Sequence, residues 1–265
     1  MPILYEDRAV LAIDKPRSWM LVPFTWQRTN RNLQTAILSS IQAGDYWARS
    51  RSLKFLRYVH RLDAETTGIL LFAKSQGAVE AYGDLFESRQ MHKTYLAVSS
   101  GVPEENEWVC RLKLAPDEKK FARMKVDELN GKESETHFKV LQVINRSDVS
   151  EDKAQKTADR DQKSGIKLAI RVPLVAKLPS LVNETRTLIQ ANPVTGRTHQ
   201  IRVHLAESGC PVFSDELYGR RLLRTEMGLR AVRLTFADPF TRKPIDIRAP
   251  IDKFCREYGF DVPKI

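Results

Sequence analysis

A single acidic residue, Asp63, stands where a predicted loop meets a predicted buried strand. The segment HRLDAETTG runs from His60 to Gly68, and a short apolar run ending at Lys74 follows it. A carboxylate held at such a junction projects from a rigid element into a cleft, which suits a nucleophile or a base. The alternative is an aspartate that accepts backbone N–H groups within its own turn. The residues alone leave both interpretations open.

Two arginines are candidates to face this carboxylate. Arg61 lies two residues before Asp63, and Arg202 lies in the later segment THQIRVH. An arginine ~4 Å from a carboxylate attracts it by about 4 kcal/mol at an effective dielectric of 20, which favours the ionised acid. The alternative is that both arginines bind phosphates or cover a helix face.

Tyr95 lies within KTYLAV, which has the composition of a strand. A tyrosine in the middle of a strand is usually part of the core. The functional alternative is a platform for an extruded base, on which stacking contributes roughly 1–3 kcal/mol per base.

The histidines of THQIRVH give little support to a metal site. His199 and His204 are five residues apart, whereas helical ligand pairs prefer a spacing of three or four, and no third ligand is evident. Neither GxGxxG nor GxxxxGK[ST] occurs, so we predict no nucleotide cofactor and no metal.

The composition favours a polyanionic partner. The chain has 265 residues and a formal net charge of +10, which suits nucleic acid or an anionic membrane surface. Three scattered cysteines lack a metal or CxxC spacing, the N-terminus lacks a signal-peptide pattern, and no apolar run approaches the ~20 residues that span a bilayer. We therefore expect a cytoplasmic protein that does not enter a membrane.

The pattern of elements predicts one α+β domain over residues 1–265. Strands are expected at 3–5, 9–13, 68–74 and 93–98, and helices at 32–41 and 77–89. The segment THQIRVHLAESG predicts a short helix with Thr198 as its N-cap and Gly209 as its stop signal. LRAVRLTF and PIDIRAP predict a late hairpin.

Residues 145–165 are polar and mixed in charge, with Val149 as their one aliphatic side chain larger than alanine. They cannot bury enough apolar surface to offset the entropy of ordering, so we predict a mobile surface loop. The flanking segments HFKVLQVI and IKLAIRVPLV are predicted to be strands that this loop joins as a long hairpin.

Five segments, in their order along the chain, resemble the ribosomal-large-subunit-A-type family of pseudouridine synthases. They are ILYEDRAVLAIDKP, HRLDAETTGILLFAK, KTYLAV, GKESETHF and TGRTHQIRVHLAESGCPVFSDELYG. The resemblance covers roughly Ile3 to Pro250. Each segment alone is a weak signal, but the combination of HRLD with GRTHQIRVH about 130 residues later is specific.

The resemblance implies a role for each matching residue. Asp63 corresponds to the catalytic aspartate, Tyr95 to the ring that stacks on the target uracil, and Arg202 to the partner of the aspartate. Arg61 corresponds to the residue that fills the gap left by the flipped base. Further substrate contacts are expected from the neighbouring motif residues His60, Arg197, His199 and Gln200. The family implies a mixed, mainly antiparallel sheet flanked by helices and loops, a central basic cleft, and no cofactor or metal.

The chain departs from the family pattern at several positions, and it is expected to lack the small N-terminal RNA-binding domain of many relatives. Asp14 stands where the family usually has asparagine, Arg17 and Ser18 stand where a small residue and glycine are usual, and Thr67 replaces the usual serine. Ser214 replaces the usual glycine, and Arg230 and Asp238 occupy places where histidine is common. None of them is one of the three residues assigned to catalysis.

The resulting expectation is a monomeric enzyme that isomerises uridine to pseudouridine in structured ribosomal or transfer RNA. Phosphate contacts are expected from the stretch between Arg49 and Arg57, and from Lys119, Lys120, Arg123 and Lys125. The first alternative is a non-catalytic RNA-binding or assembly factor on the same fold. The second is a metal-dependent nuclease with the ligands Asp63, His199, His204 and Asp215, and the third is a membrane-surface protein.

Overall fold

The computed structural model describes residues 1–21, 31–145, 185–220 and 225–265. Within these ranges the strands are β1 (Ile3–Glu6), β2 (Val10–Lys15), β3 (Arg57–Tyr58), β4 (Thr67–Ala73), β5 (His92–Ser100), β6 (Glu107–Pro116), β7 (Met124–Val126), β8 (Lys132–Ile144), β9 (Arg186–Pro193), β10 (Leu229–Ala237) and β11 (Pro244–Arg248). The helices are α1 (Leu33–Gln42), α2 (Tyr46–Arg49), α3 (Gln76–Glu87), α4 (Gln200–Glu207) and α5 (Asp252–Tyr258).

The strands form one sheet in the order β1-β2-β4-β10-β5-β9-β8-β6-β7, with β3 paired to β4 and β11 paired to β10. Neighbouring strands are antiparallel except β4 and β10, which run parallel. The prediction of an α+β fold with a mixed, mainly antiparallel sheet is confirmed. The parallel pair matters for function because it lies directly after the loop that carries Asp63.

Strand β4 is buried on both faces, which explains its uninterrupted apolar sequence. Leu70 and Phe72 pack into one core cluster, whereas Ile69, Leu71 and Ala73 pack into another that includes α3. A central strand held from both sides gives the preceding loop a rigid base.

The predicted late hairpin is confirmed, since β10 and β11 are antiparallel neighbours. Strand β8 contains the predicted HFKVLQVI strand and pairs with β9. Within the predicted loop 145–165, residues 146–165 lie outside the described residues, as does the predicted strand IKLAIRVPLV.

Side-chain caps begin two of the helices. The Asn32 side chain accepts the backbone N–H of Thr35 at the start of α1, as predicted, and the Ser75 hydroxyl accepts that of Ala78 at the start of α3. Gly209 follows α4 with a φ of +74°, which agrees with its predicted role as a stop signal.

The prediction of Thr198 as the N-cap of α4 is wrong. The cap position is His199, which has a left-handed backbone with a φ of 55° and makes no side-chain capping bond. The preceding turn is instead closed by the Gln200 side chain, whose Oε1 accepts the backbone N–H of Arg197. The helix therefore starts one residue later than the sequence pattern indicated.

Among the described residues, no helix is both long and apolar enough to cross a bilayer. All three cysteines are free thiols.

Candidate active site

The loop that carries Asp63 is fixed to the sheet by a buried lysine. Lys15, at the end of β2, is fully buried, and its Nζ donates to the carbonyl oxygens of Pro16, Ala64 and Thr66 at 3.1, 2.8 and 2.9 Å. Burial lowers the pKa of this ammonium to about 8, although nearby carboxylates oppose the shift. An ammonium has three donors, so its hydrogen-bonding capacity is used up by the loop and its surroundings.

Gly68 fixes the other end of the loop. It has a φ of +106°, and a Cβ at this position would lie 2.0 Å from the carbonyl oxygen of Ala231, its partner in the parallel pairing of β4 and β10. Glycine is required here both for its backbone conformation and for the close approach of β10. The loop between Asp63 and Gly68 is thus held at both ends.

Arg202, on α4, lies between two carboxylates. Its Nη1 donates to Asp63 Oδ2 at 3.3 Å, and its Nε and Nη2 form a bidentate pair with Asp215 at 2.7 Å each. Arg202 and Asp215 are both buried. Burial disfavours the charged guanidinium, but the hydrogen bonds and negative charge of Asp215 outweigh it and raise the pKa of Arg202. Arg202 therefore presents a fixed positive charge to Asp63.

Tyr95 lies in the middle of β5, between Ala231 of β10 and Ala191 of β9. The residue is 9% exposed and contributes to the wall of the cavity that contains Asp63. Burial raises the pKa of the phenol well above its usual value, and the charge of Asp63 adds to this shift. The phenol therefore stays protonated and neutral at neutral pH.

His199 and Tyr218 form the side of the site nearest the N-terminus of α4. His199 Nε2 lies 3.8 Å from Asp63 Oδ2, and its Nδ1 lies 2.9 Å from Tyr218 Oη. Burial lowers the pKa of His199, although the charge of Asp63 opposes the shift. The imidazole is therefore neutral near pH 7.

Asp63, Tyr95, His199 and Arg202 line a cavity of about 400 Å³, a size in the range of small-molecule sites, about 300–1,000 Å³. Its lining mixes aromatic, cationic and carboxylate groups and includes His60, Arg61, Asp63, Lys93, Tyr95, Gly196, Arg197, His199 and Arg202. The Asp63 carboxylate beside the Tyr95 ring and several cations suits a reaction on a flat base joined to an anionic backbone.

The sequence profile of the RNA pseudouridylate synthases matches residues 10–207, a range that contains Asp63, Tyr95 and Arg202. The chain belongs to this family.

Curated pseudouridine synthases align with nearly the whole chain. "Ribosomal large subunit pseudouridine synthase C" of Vibrio vulnificus is 31% identical over 264 residues, which cover 94% of this chain and 65% of the relative. "Uncharacterized RNA pseudouridine synthase YhcT" of Bacillus subtilis is 28% identical over 264 residues, covering 97% and 72%. The chain thus spans about two thirds of the length of the first of these relatives.

Solved pseudouridylate synthase structures share the fold. "Human RNA Pseudouridylate Synthase Domain Containing 1" superposes with a TM-score of 0.65 at 22% identity, over 94% of this chain and 83% of the other. "Human RNA Pseudouridylate Synthase Domain Containing 4" gives a TM-score of 0.66 at 19% identity, over 99% and 94%.

Several departures from the usual pseudouridine synthase residues have partners in the structure. Arg230 forms a bidentate pair with Asp14 at 2.7 and 2.9 Å, so two departures compensate each other. Ser214 has a φ of +60°, in the region that favours the glycine usual at this position. Asp238 accepts the hydroxyl of buried Tyr82.

Two predicted substrate contacts are engaged with the protein instead. Gln200 is buried, and its amide makes four hydrogen bonds to groups on the turn before α4 and on β8, at 2.6–2.9 Å. Its two donors and two acceptor positions are filled, so it braces the turn and has no amide group left for substrate. The His60 ring accepts the backbone N–H of Leu71 at Nε2 and stacks on Phe86, and burial lowers its pKa to about 3. It therefore supports the cavity wall as a neutral ring.

The predicted cationic contacts fall into three places. In the stretch between Arg49 and Arg57, Arg51 and Lys54 line a separate pocket next to Glu6, and Arg51 Nε donates to the Glu6 carboxylate at 2.9 Å. Arg61 and Arg197 are exposed residues that line the cavity. Lys119, Lys120 and Lys125 are exposed in or next to the turn between β6 and β7, away from the cavity lining, and Arg123 lies in the same turn with its Cζ 5.3 Å from the Tyr218 ring centroid.

The ligand set of the metal-dependent alternative does not come together. His204 Nε2 lies 2.8 Å from Ser134 Oγ, and the guanidinium of Arg202 separates Asp63 from Asp215. In the described part of the chain, no three His, Cys, Asp or Glu side chains form a cluster suited to a metal ion.

Sequence reasoning missed four residues of the site. Asp215 appeared only as a ligand of the metal-dependent alternative, and Lys15, Lys93 and Tyr218 were given no role. Lys15, Lys93, Asp215 and Tyr218 all lie within segments that carry the family resemblance, which is the signal that could have found them. Lys93 lines the cavity, and burial lowers its pKa to about 8.

Proposed function

We propose that this protein isomerises uridine to pseudouridine in RNA, with Asp63 as the catalytic carboxylate. The observation that carries the proposal is the position of Asp63 in the cavity, 3.3 Å from a guanidinium that a buried second carboxylate holds in place. Family membership favours this chemistry over the other reactions that an aspartate can perform.

The substrate we favour is ribosomal RNA of the large subunit, because several bacterial relatives carry that substrate in their names. Transfer RNA is the second candidate. Given a ribosomal substrate, we place the enzyme in the cytoplasm. We further propose that the single sheet from β1 to β11 forms one catalytic domain and that the protein acts as a monomer, which light scattering would check.

The target base must leave its stack to reach Asp63. Extrusion of a nucleotide costs a few kcal/mol, and less in a loop or bulge. Arg61 is exposed at the cavity and is suited to fill the space that the base leaves, while Tyr95 receives the base on its ring. Stacking on an aromatic ring returns roughly 1–3 kcal/mol of that cost.

Two reaction routes agree with the geometry. In the first, an oxygen of Asp63 attacks C1′ and the electrons of the C1′–N1 bond pass to uracil N1; C5 then bonds to C1′ and expels the carboxylate. In the second, Asp63 takes the C2′ proton while the same bond breaks, which gives a glycal that C5 attacks as the proton returns to C2′. In both routes N1 gains a proton and C5 loses one. Both routes require the cavity to retain the detached base while it rotates.

The exposed lysines near the β6–β7 turn are proposed to bind the RNA backbone. If Lys119 and Lys120 contact phosphates, replacing both with glutamate weakens RNA binding and lowers the slope of log K against log salt by about 0.7–0.9 per lost contact. Lys243→Glu, on the exposed turn between β10 and β11, is the matched control. An unchanged slope in the double variant would remove this turn from the interface.

The proposed function is tested by expressing the wild type, Asp63→Asn and Asp246→Asn in cells that lack the endogenous protein, followed by mapping of pseudouridine in total RNA. Asp246 is the control because its carboxylate lies in an exposed ion pair with Arg233. We expect sites that the wild type and the control restore and Asp63→Asn does not. Restoration by Asp63→Asn would disprove the role of Asp63. RNA binding without any restored site would favour a non-catalytic assembly factor.

A further inference from the structure

Tyr218 contacts the site through His199, but the reaction scheme does not use it. Its hydroxyl oxygen accepts the backbone N–H of Met124 at 2.7 Å and lies 2.9 Å from His199 Nδ1. The guanidinium carbons of Arg123 and Arg202 lie 5.3 and 5.2 Å from the centroid of its ring, close enough for cation–π attraction. The ring therefore occupies a fixed position between the β6–β7 turn and the catalytic cluster.

The hydrogen bonds of Tyr218 determine where its proton lies. A backbone N–H can only donate, so Tyr218 Oη is the acceptor for Met124. Burial raises the pKa of Tyr218 to about 12, and the hydroxyl therefore keeps its single proton at neutral pH. Within the described ranges, His199 Nδ1 is the group placed to accept that proton. Nδ1 is then unprotonated, and the neutral imidazole carries its proton on Nε2.

The protonated Nε2 faces Asp63. Both His199 Nε2, at 3.8 Å, and Arg202 Nη1, at 3.3 Å, approach the same carboxylate oxygen, Oδ2. The 3.8 Å separation is beyond hydrogen-bond range, so a small movement of either side chain is needed to complete the contact. Two donors on Oδ2 would leave Oδ1 as the oxygen that acts on the ribose.

The backbone of His199 supports a functional position. This residue has a φ of 55° at the N-cap of α4, a conformation that is uncommon for a residue with a Cβ. Such positions persist where the surroundings fix them, and they are concentrated at functional sites. Here the conformation places the ring between Tyr218 and Asp63.

We propose that Tyr218 is a positioning residue that holds His199 as the Nε2–H tautomer, so that this N–H donates to Asp63 Oδ2 during the reaction. The proposal rests on the proposed pseudouridine synthase function for its kinetic consequence, but not for the tautomer itself. Tyr218 would act on Asp63 through His199, because Tyr218 makes no hydrogen bond to Asp63 in the described structure.

The kinetic test uses single-turnover formation of pseudouridine by purified full-length variants on RNA that the wild type modifies. Tyr218→Phe removes the hydroxyl but keeps the ring between the two guanidinium groups. We expect the rate to fall about 10- to 100-fold, the effect of losing a hydrogen bond to a charged group, with RNA affinity unchanged. Tyr258→Phe is the matched control, since this buried tyrosine of α5 donates to the carbonyl oxygen of Glu226 and does not line the cavity; its rate should equal that of the wild type.

His199 variants separate a positioning role from a general structural one. In His199→Gln the amide nitrogen replaces Nε2, whereas in His199→Asn it replaces Nδ1, so the glutamine variant should react faster. The double variant Tyr218→Phe/His199→Ala should be no slower than His199→Ala alone, because Tyr218 acts through His199. A double variant slower by the full Tyr218→Phe factor would overturn the proposal.

The tautomer is measured directly from the ¹⁵N and ¹³C chemical shifts of the His199 ring at neutral pH, assigned by comparison with His199→Gln. We expect protonated Nε2 and unprotonated Nδ1 in the wild type, and a mixture of tautomers in Tyr218→Phe. A protonated Nδ1 in the wild type would overturn the proposal. This measurement needs no substrate, so a wild-type protein that modifies no RNA would disprove the proposed function while the tautomer assignment is still decided.

Discussion

The pair of Arg202 and Asp215 is the strongest test of how the site is held together, and Asp215→Asn is the perturbation that isolates it. The Asp215 side chain is fully buried, and it accepts the Nε and Nη2 of Arg202 together with the backbone N–H groups of Leu217 and Tyr218. Asparagine preserves the shape of the side chain. It removes the charge and turns an NH₂ group toward the donors of Arg202.

The magnitude follows from the burial and the distance. At 2.7 Å the attraction between unit charges is about 6 kcal/mol at an effective dielectric of 20. Part of this is offset because both groups were desolvated on folding, and removing one member of a buried pair usually costs about 3–5 kcal/mol. For a chain of this size, that loss corresponds to a fall in melting temperature of about 6–20 °C. The released guanidinium should also move toward Asp63 and slow the reaction.

The assay is urea unfolding at neutral pH, together with single-turnover kinetics below the melting temperature. Asp246→Asn is the control, because it also removes a carboxylate that accepts a bidentate arginine, Arg233, but in a pair that is 37–38% exposed. The control should lose less than about 1 kcal/mol. If Asp215→Asn loses no more than the control, Asp215 does not hold Arg202 and the account of the site is wrong.

Three further predictions concern the supports of the site. His60 is held neutral, because its pKa is about 3 in the folded protein and about 6.5 in the unfolded chain. Below pH 6.5 the unfolded chain therefore binds more protons than the folded protein, and the free energy of unfolding should fall by about 2 kcal/mol between pH 7 and 5. Urea unfolding of His60→Gln should lack this pH-dependent loss, and an identical pH dependence in both proteins would refute the prediction. Lys15→Met leaves three carbonyl oxygens without their donor, so we expect a loss of at least about 3 kcal/mol in unfolding free energy. The activity of Lys15→Met should also be lower than that of a surface control variant such as Lys253→Met. Gly68→Ala should cost more than about 2 kcal/mol because its Cβ meets a backbone carbonyl, whereas Gly77→Ala, in open space on α3, should be neutral or stabilising by up to about 1 kcal/mol; equal melting temperatures would contradict this reading of the loop.

The elements that carry the motifs were predictable because their patterns are local. The apolar run after Asp63 indicated a strand buried on both faces, and β4 has its side chains in two separate core clusters. The N-cap of α1 was predictable because an asparagine, Asn32, directly precedes the helical pattern. Such signals depend on neighbours in the chain, which the sequence lists directly.

The connections between distant segments were not predictable from the residues. Arg202 meets Asp63 across 139 positions, and their contact depends on how α4 packs against the sheet. The resemblance correctly indicated that contact, but it did not indicate that Asp215 is the closer partner of Arg202.

Polar residues with full sets of buried partners are a second kind of contact that the residues alone do not reveal. Gln200 looked like a substrate contact because it lies in a basic motif, yet the protein uses all its hydrogen-bonding groups. Lys15 is buried without a carboxylate in direct contact, and nothing in its type indicates this. Glutamine and lysine are mostly exposed, so their residue type predicts exposure. Only their hydrogen-bond partners in the folded structure show that these two are buried.

The pair between Asp14 and Arg230 constrains the order in which this chain could have diverged from its relatives. The family usually has asparagine and histidine at these two positions. If Arg230 had appeared while position 14 was still asparagine, its guanidinium, on a side chain that is 10% exposed, would have faced a neutral amide. If Asp14 had appeared first, its carboxylate could have paired with a protonated histidine at position 230. The lower-cost path therefore acquired the carboxylate first. The same intermediates arise when the two residues are changed back one at a time, so Arg230→His should lose less unfolding free energy than Asp14→Asn. A chimera that takes its N-terminal strands from a relative must also take residue 230 from that relative.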